Sequence, residues 1–155
     1  MRRLTVCGVP MHPALVHFPI VFWVLVPAMD VAYSLERGGP YWRLGWILAA
    51  AGIISALPAI VAGALDALAC RHVQAAESTL WRHAGLMAVA WTLFALSCLL
   101  CSPDDPHQAP LVGGVMHGIG ALTLIVGAHA GGSLVHVHHL PDVGAETATT
   151  EAPRV

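Results

Sequence analysis

Charge is what this sequence has least of. Asp, Glu, Lys and Arg make up 10% of its 155 residues, where a soluble domain carries about a quarter, and 57% of the chain is hydrophobic. With a mean hydropathy of +0.71, that balance excludes an ordinary water-soluble domain. A net charge of -2 provides no basic field for nucleic acid, and no Lys/Arg run suits an anionic-lipid anchor. No small-residue cleavage site breaks the apolar run that follows Arg2 and Arg3, so the first run reads as a retained span and not a leader. Cysteine is sparse as well. Cys98-Leu99-Leu100-Cys101 has redox-motif spacing, but no histidine follows it, which excludes c-type haem attachment, and its apolar setting reads as core. Cys7 and Cys70 fall on one side of the expected bundle and pair only if that side is oxidising. No nucleophile, base and orienting acid converge, which argues against hydrolytic catalysis.

What is present is apolar length. Four runs reach the roughly 20 residues that a helix needs to cross a hydrocarbon core about 30 Å thick. They cover about Pro13 to Leu35, Tyr41 to Leu68, Trp81 to Cys101 and Leu111 to Val137. Short breaker clusters separate them, Arg37-Gly38-Gly39-Pro40 and Ser102-Pro103-Asp104-Asp105-Pro106 among them, so consecutive spans run antiparallel. The expectation is an all-α integral membrane four-helix bundle over residues 1–140, followed by a disordered polar tail over 141–155. Pro19, Pro27 and Pro58 fall inside spans as kinks, because neighbouring helices can satisfy the backbone groups they release.

Two spans carry a seam of small residues. Gly45, Gly52 and Ala59, ending on Asp66, recur every seven positions in the second span and are interleaved with Ala49, Ala56 and Gly63; Gly113, Gly120 and Gly127 do the same in the fourth. Such seams let backbones approach closely in lipid, so these two helices are expected to be tightly packed, within one chain or across a dimer.

Polar groups at membrane depth are costly and point to function. With both termini on a first side, that side collects eight of the ten histidines, together with Asp66, Arg71 and Arg82, while Asp30, His107 and His117 fall on the second. His129 and His136 are seven apart and share a helix face with Gly118, near Gly132, about 10 Å apart along the axis. Glycine leaves room for a flat macrocycle and neutral imidazole ligates iron. His17 and His83 approach from antiparallel helices at similar depth, so His17, His83, His129 and His136 are the candidate ligands, with Gly118 and Gly132 as the floor of the site. Asp66 is placed to accept the second ring N–H of a ligand histidine. Alternatively, Asp66 pairs with Arg71 or Arg82 and Asp30 with Arg43. His12, His72, His107 and His139 read as interfacial side chains. His117, on the fourth-span seam, is either an interhelical hydrogen-bonding group or a ligand for a second haem.

Met11-His12-Pro13-Ala14-Leu15-Val16-His17-Phe18-Pro19-Ile20 resembles the opening signature of the four-span bacterial membrane family called domain of unknown function 2231, and Gly131-Gly132-Ser133-Leu134-Val135 resembles its closing signature. Asp30, Gly63-x-x-Asp66 and His83 fall where that family carries comparable residues. The resemblance covers about Pro10 to Leu140 and implies a small membrane protein with a suspected redox or haem role. Related modules joined to cytochrome c domains favour electron transfer over transport.

Three functions follow as expectations. The first is a b-type haem protein passing electrons between a quinone or membrane partner and a cytochrome or other surface acceptor. The second is a handler of zinc, copper or nickel through the same histidines and Val135-His136-Val137-His138-His139. The third is an assembly subunit of a larger membrane complex. Arg2, Arg3, Arg71 and Arg82 against Arg37 and Arg43 set both termini in the cytoplasm of a bacterial inner membrane by the positive-inside rule. A periplasmic cytochrome c partner favours the reverse.

Overall fold

The computed structural model describes residues 5–6, 9–36, 40–70, 77–105 and 110–136. A two-residue antiparallel pair, β1 (Thr5–Val6) and β2 (Val9–Pro10), leads into a short helix α1 (Met11–Leu15). Four long helices follow: α2 (His17–Glu36), α3 (Tyr41–Cys70), α4 (Glu77–Leu100) and α5 (Pro110–His136). The Val16 N–H donates to His12 O at 3.1 Å and the Ile20 N–H to Val16 O at 3.2 Å, so α1 and α2 behave as one rod, apolar from Met11 to Glu36. All four rods are long and apolar enough to cross a membrane. An all-α bundle of four candidate spans, as expected from the sequence, therefore describes the fold, and the β pair is a small N-terminal addition to it.

Local chemistry explains the ends and kinks. Pro40, whose fixed φ suits a helix start, precedes α3 and accepts the first-turn N–H of Leu44 at 2.9 Å. Glu77 opens α4, where a carboxylate complements the helix dipole. Pro27 and Pro58 lie inside α2 and α3 and, lacking an N–H, release the carbonyls of Trp23 and Ile54. Large apolar side chains such as Leu35, Ile54, Leu99, Leu111 and Leu122 point outward, as a lipid-facing surface requires.

Packing is most extensive within two hairpins, α2 with α3 and α4 with α5. The small-residue seams are close-packed, but not seam to seam: α3 reaches the α5 seam through Trp42, which packs at Gly113. Each seam receives bulky side chains from the preceding helix: Trp23 fills the notch at Gly52, Phe94 the notch at Gly120, and Met87 and Leu86 the notch at Gly127. Lipid tails are as apolar as the helices, so association rests on this interdigitation, and a notch is most useful opposite a large ring. Where the hairpins meet, Trp23 and Phe94 stack with centroids 4.9 Å apart and planes 2° from parallel. Their neighbours Val26, Ala49, Ala56, Ala90 and Leu124 complete the core.

The two hairpins are copies of one plan. His83, Phe94, Ser97 and Cys101 each lie 71 positions after His12, Trp23, Val26 and Asp30, and Gly113, His117, Gly120, Gly127 and Gly131 each lie 68 positions after Gly45, Ala49, Gly52, Ala59 and Gly63. Burial follows the same correspondence: Trp23 and Phe94, Val26 and Ser97, Ala49 and His117, and Ala56 and Leu124 are all buried. Both copies begin at the same end of the bundle. The axis relating them therefore runs along the bundle, and matching residues from the two copies can meet on it.

Candidate functional site

His12 and His83 are such a matching pair. The Nδ1–H of His12 donates to Ala59 O and the Nδ1–H of His83 to Gly127 O, each at 2.8 Å. A carbonyl only accepts, so in the neutral ring the proton is on Nδ1 and the lone pair is left on Nε2. One turn further along each partner helix a glycine makes room for the ring. A Cβ on Gly63 would stand 2.8 Å from His12 Cε1, and one on Gly131 would stand 2.9 Å from His83 Cε1. The rings themselves are 6.3 Å apart and nearly perpendicular, at 86°. Two imidazoles from two helical hairpins, each oriented through its Nδ1 by a backbone carbonyl, form a preorganised pair.

The expected ligands separate in the structure. His83 joins the bundle interior as expected, but its ring neighbour is His12, which the sequence reading treats as interfacial. His17 is exposed, its Nδ1 3.4 Å from Ala14 O, and His129 is exposed on α5. His136 closes α5, while His72, His107, His138, His139, Cys7, Arg71 and the 141–155 tail lie outside the described residues. Gly118 and Gly132 face open space, since a Cβ on either meets nothing within 4 Å. Gly131, one residue and about 100° around the helix from Gly132, is the glycine that packs against the His83 ring. Asp66 reaches the His12 and His83 end of α3, where its Oδ1 is buried with no hydrogen-bond partner among the described residues. The orienting role expected of it is filled by the Ala59 and Gly127 carbonyls. One sequence signal identifies the pair. A histidine precedes an aromatic by eleven residues in both hairpins, and a glycine follows another by eleven in both partner helices, each about three turns.

At the other end of the bundle, His117 crosses between hairpins. Its Nδ1 is 2.8 Å from Asp30 Oδ2 on α2, and its Nε2 is 2.9 Å from Ser97 Oγ on α4. Ser97 Oγ donates to Phe94 O at 2.7 Å, and the Phe94 ring stacks on the imidazole at 5.7 Å. Asp30 thus pairs with His117. Arg43, the alternative partner, reaches Asp104 at 3.9 Å on the surface. Trp42, Trp46, Ser97, Cys101 and His117 line a cavity of about 10 Å³, the size of one water. The Trp42 and Trp46 indoles donate to Ser102 O and Cys98 O, tying α3 to the end of α4.

Among the described residues no three His, Cys, Asp or Glu side chains gather as a metal site. Among known proteins, a family model described as predicted membrane protein (DUF2231) matches residues 8–144. No curated protein and no solved structure matches the chain.

Proposed function

The chain belongs to the DUF2231 family of predicted membrane proteins, and on that premise we propose that it is a membrane-embedded electron-transfer protein holding haem b between His12 and His83. The observation that carries this reading is the pair itself. His12 and His83 would hold the iron between them: two metal–nitrogen bonds of about 2 Å plus the radius of each ring would give a ring spacing of about 6 Å, which fits the 6.3 Å found. Two protein ligands complete a haem iron, whose macrocycle supplies the other donors, whereas a tetrahedral zinc site needs three or four from the protein. Bound there, haem would supply one-electron chemistry. The protein's own part is to fix both rings by their Nδ1–H bonds, to surround them with small residues, and to hold them at one end of the span. That end suits exchange with a quinone or a cytochrome at the membrane surface. The arginine count sets it on the cytoplasmic side of a bacterial inner membrane in this reading, which a C-terminal reporter fusion tests.

An absorption spectrum of the protein purified in detergent tests the proposal. A Soret band that shifts on dithionite reduction is expected, lost in His12→Ala and in His83→Ala and kept in His17→Ala and His129→Ala. A colourless protein after expression with excess haem refutes it. Loss of the band only in His17→Ala or His129→Ala would move the ligands to the outer face.

A further inference from the structure

We propose that Asp30, His117 and Ser97 form a second site, independent of the haem reading, that stores one exchangeable proton at the end of the bundle opposite His12 and His83. The count follows from the hydrogen bonds. Ser97 has one hydroxyl hydrogen, which the short 2.7 Å contact assigns to Phe94 O, a pure acceptor. Ser97 Oγ can then only accept from His117, so Nε2 carries a proton. The 2.8 Å contact between Nδ1 and Asp30 Oδ2 needs one more proton, on either atom, to be a hydrogen bond. With that proton the pair is neutral overall, as imidazolium and carboxylate or as imidazole and carboxylic acid. Without it the pair is an anion facing an unprotonated nitrogen, in a setting where His117 is 5% and Ser97 1% exposed.

The surroundings suit storage and release. From α3 the pair meets the backbone at Gly45 and the indoles of Trp42 and Trp46, none of which titrates in the accessible range. From the α4 end the titratable neighbours are Cys101, which lines the cavity beside His117, and Cys98, next to Ser97. Arg43 and Asp104 engage each other outside. The water-sized cavity that His117 lines is the exit: the proton leaves through the imidazole to a water there, and one negative charge stays on the pair. The duplicated plan sharpens the assignment. The counterparts of Asp30, Ser97 and His117 are Cys101, Val26 and Ala49, so the polar trio occurs once, on positions that the fold fills equally well with apolar side chains.

Solid-state nitrogen NMR of histidine-labelled full-length protein in lipid vesicles, with His117→Gln to assign the ring, combined with infrared spectra of the carboxyl region, tests this. At neutral pH a protonated Nε2 is expected, with either a protonated Nδ1 or a carboxylic-acid band from Asp30. In Asp30→Asn the amide donates to Nδ1 and that proton disappears, whereas Asp30→Glu keeps it. Raising the pH removes it from the wild type while the helical signal persists. An unprotonated Nε2 overturns the proposal, as does a proton that survives in Asp30→Asn. So does a wild-type proton that stays until the protein unfolds, because the trio is then a permanent clasp. None of these readouts uses haem, so the outcome is separate from that of the His12 and His83 proposal.

Discussion

Gly131 and Gly132 are adjacent in α5, yet a methyl group added to each has opposite consequences. On Gly131 it would overlap His83 Cε1 at 2.9 Å and push the ring off the Gly127 carbonyl; on Gly132 it would enter open space. On the proposal that His12 and His83 hold haem, Gly131→Ala is therefore expected to reduce its retention severalfold, measured as Soret absorbance per protein, while Gly132→Ala and Gly118→Ala retain it. Gly63→Ala should act as Gly131→Ala does, through His12. That histidine and glycine belong together was legible from residue types alone. Which of two neighbouring glycines faces the ring was not, because it depends on the rotation of α5 against α4.

At the scale of an element, α2 and α4 act as donors of large rings and α3 and α5 as acceptors. Trp23 binds its partner three ways: it fills the Gly52 notch, donates to Ala49 O at 3.2 Å and stacks on Phe94. Removing it opens a cavity at the meeting point of both hairpins, so Trp23→Ala is expected to cost about 3 kcal/mol or more. Trp23→Phe, which keeps the stack, should cost less. Unfolding by SDS in mixed micelles, followed by circular dichroism, measures both. The seven-residue seams were readable in the sequence as close-packing surfaces. Their partners were not, because a glycine notch fits another backbone and an indole equally well, and the register of α2 decides between them.

At the scale of the whole molecule, the chain is two hairpins that each bury their own seam and meet through Trp23, Phe94, the His12 and His83 pair and the His117 crossing. Contacts within a hairpin exceed those between hairpins. Residues 1–73 and 74–155 expressed as separate chains are expected to insert and co-purify as one complex. Phe94→Ala in the second fragment should weaken that complex, read as loss of co-purification. Failure of the wild-type fragments to associate would show that the covalent link between α3 and α4 is required for assembly. The polar crossing at one end and the histidine pair at the other divide the molecule into two chemically distinct ends, about 20 Å apart along α4 from His83 to Ser97.

Composition and run length by themselves determined that the chain lives in lipid, crosses it four times and carries histidine mostly at one end, because the hydrocarbon core admits only long apolar helices and penalises every charge. They also placed His83 and Asp66 at that end. The tertiary structure decided the partners. It turned His12 inward and left His17 and His129 outside, and it gave Asp30 to His117 and not to Arg43. A helical position fixes how deep a side chain sits; only the packing of one helix on another fixes which way it faces.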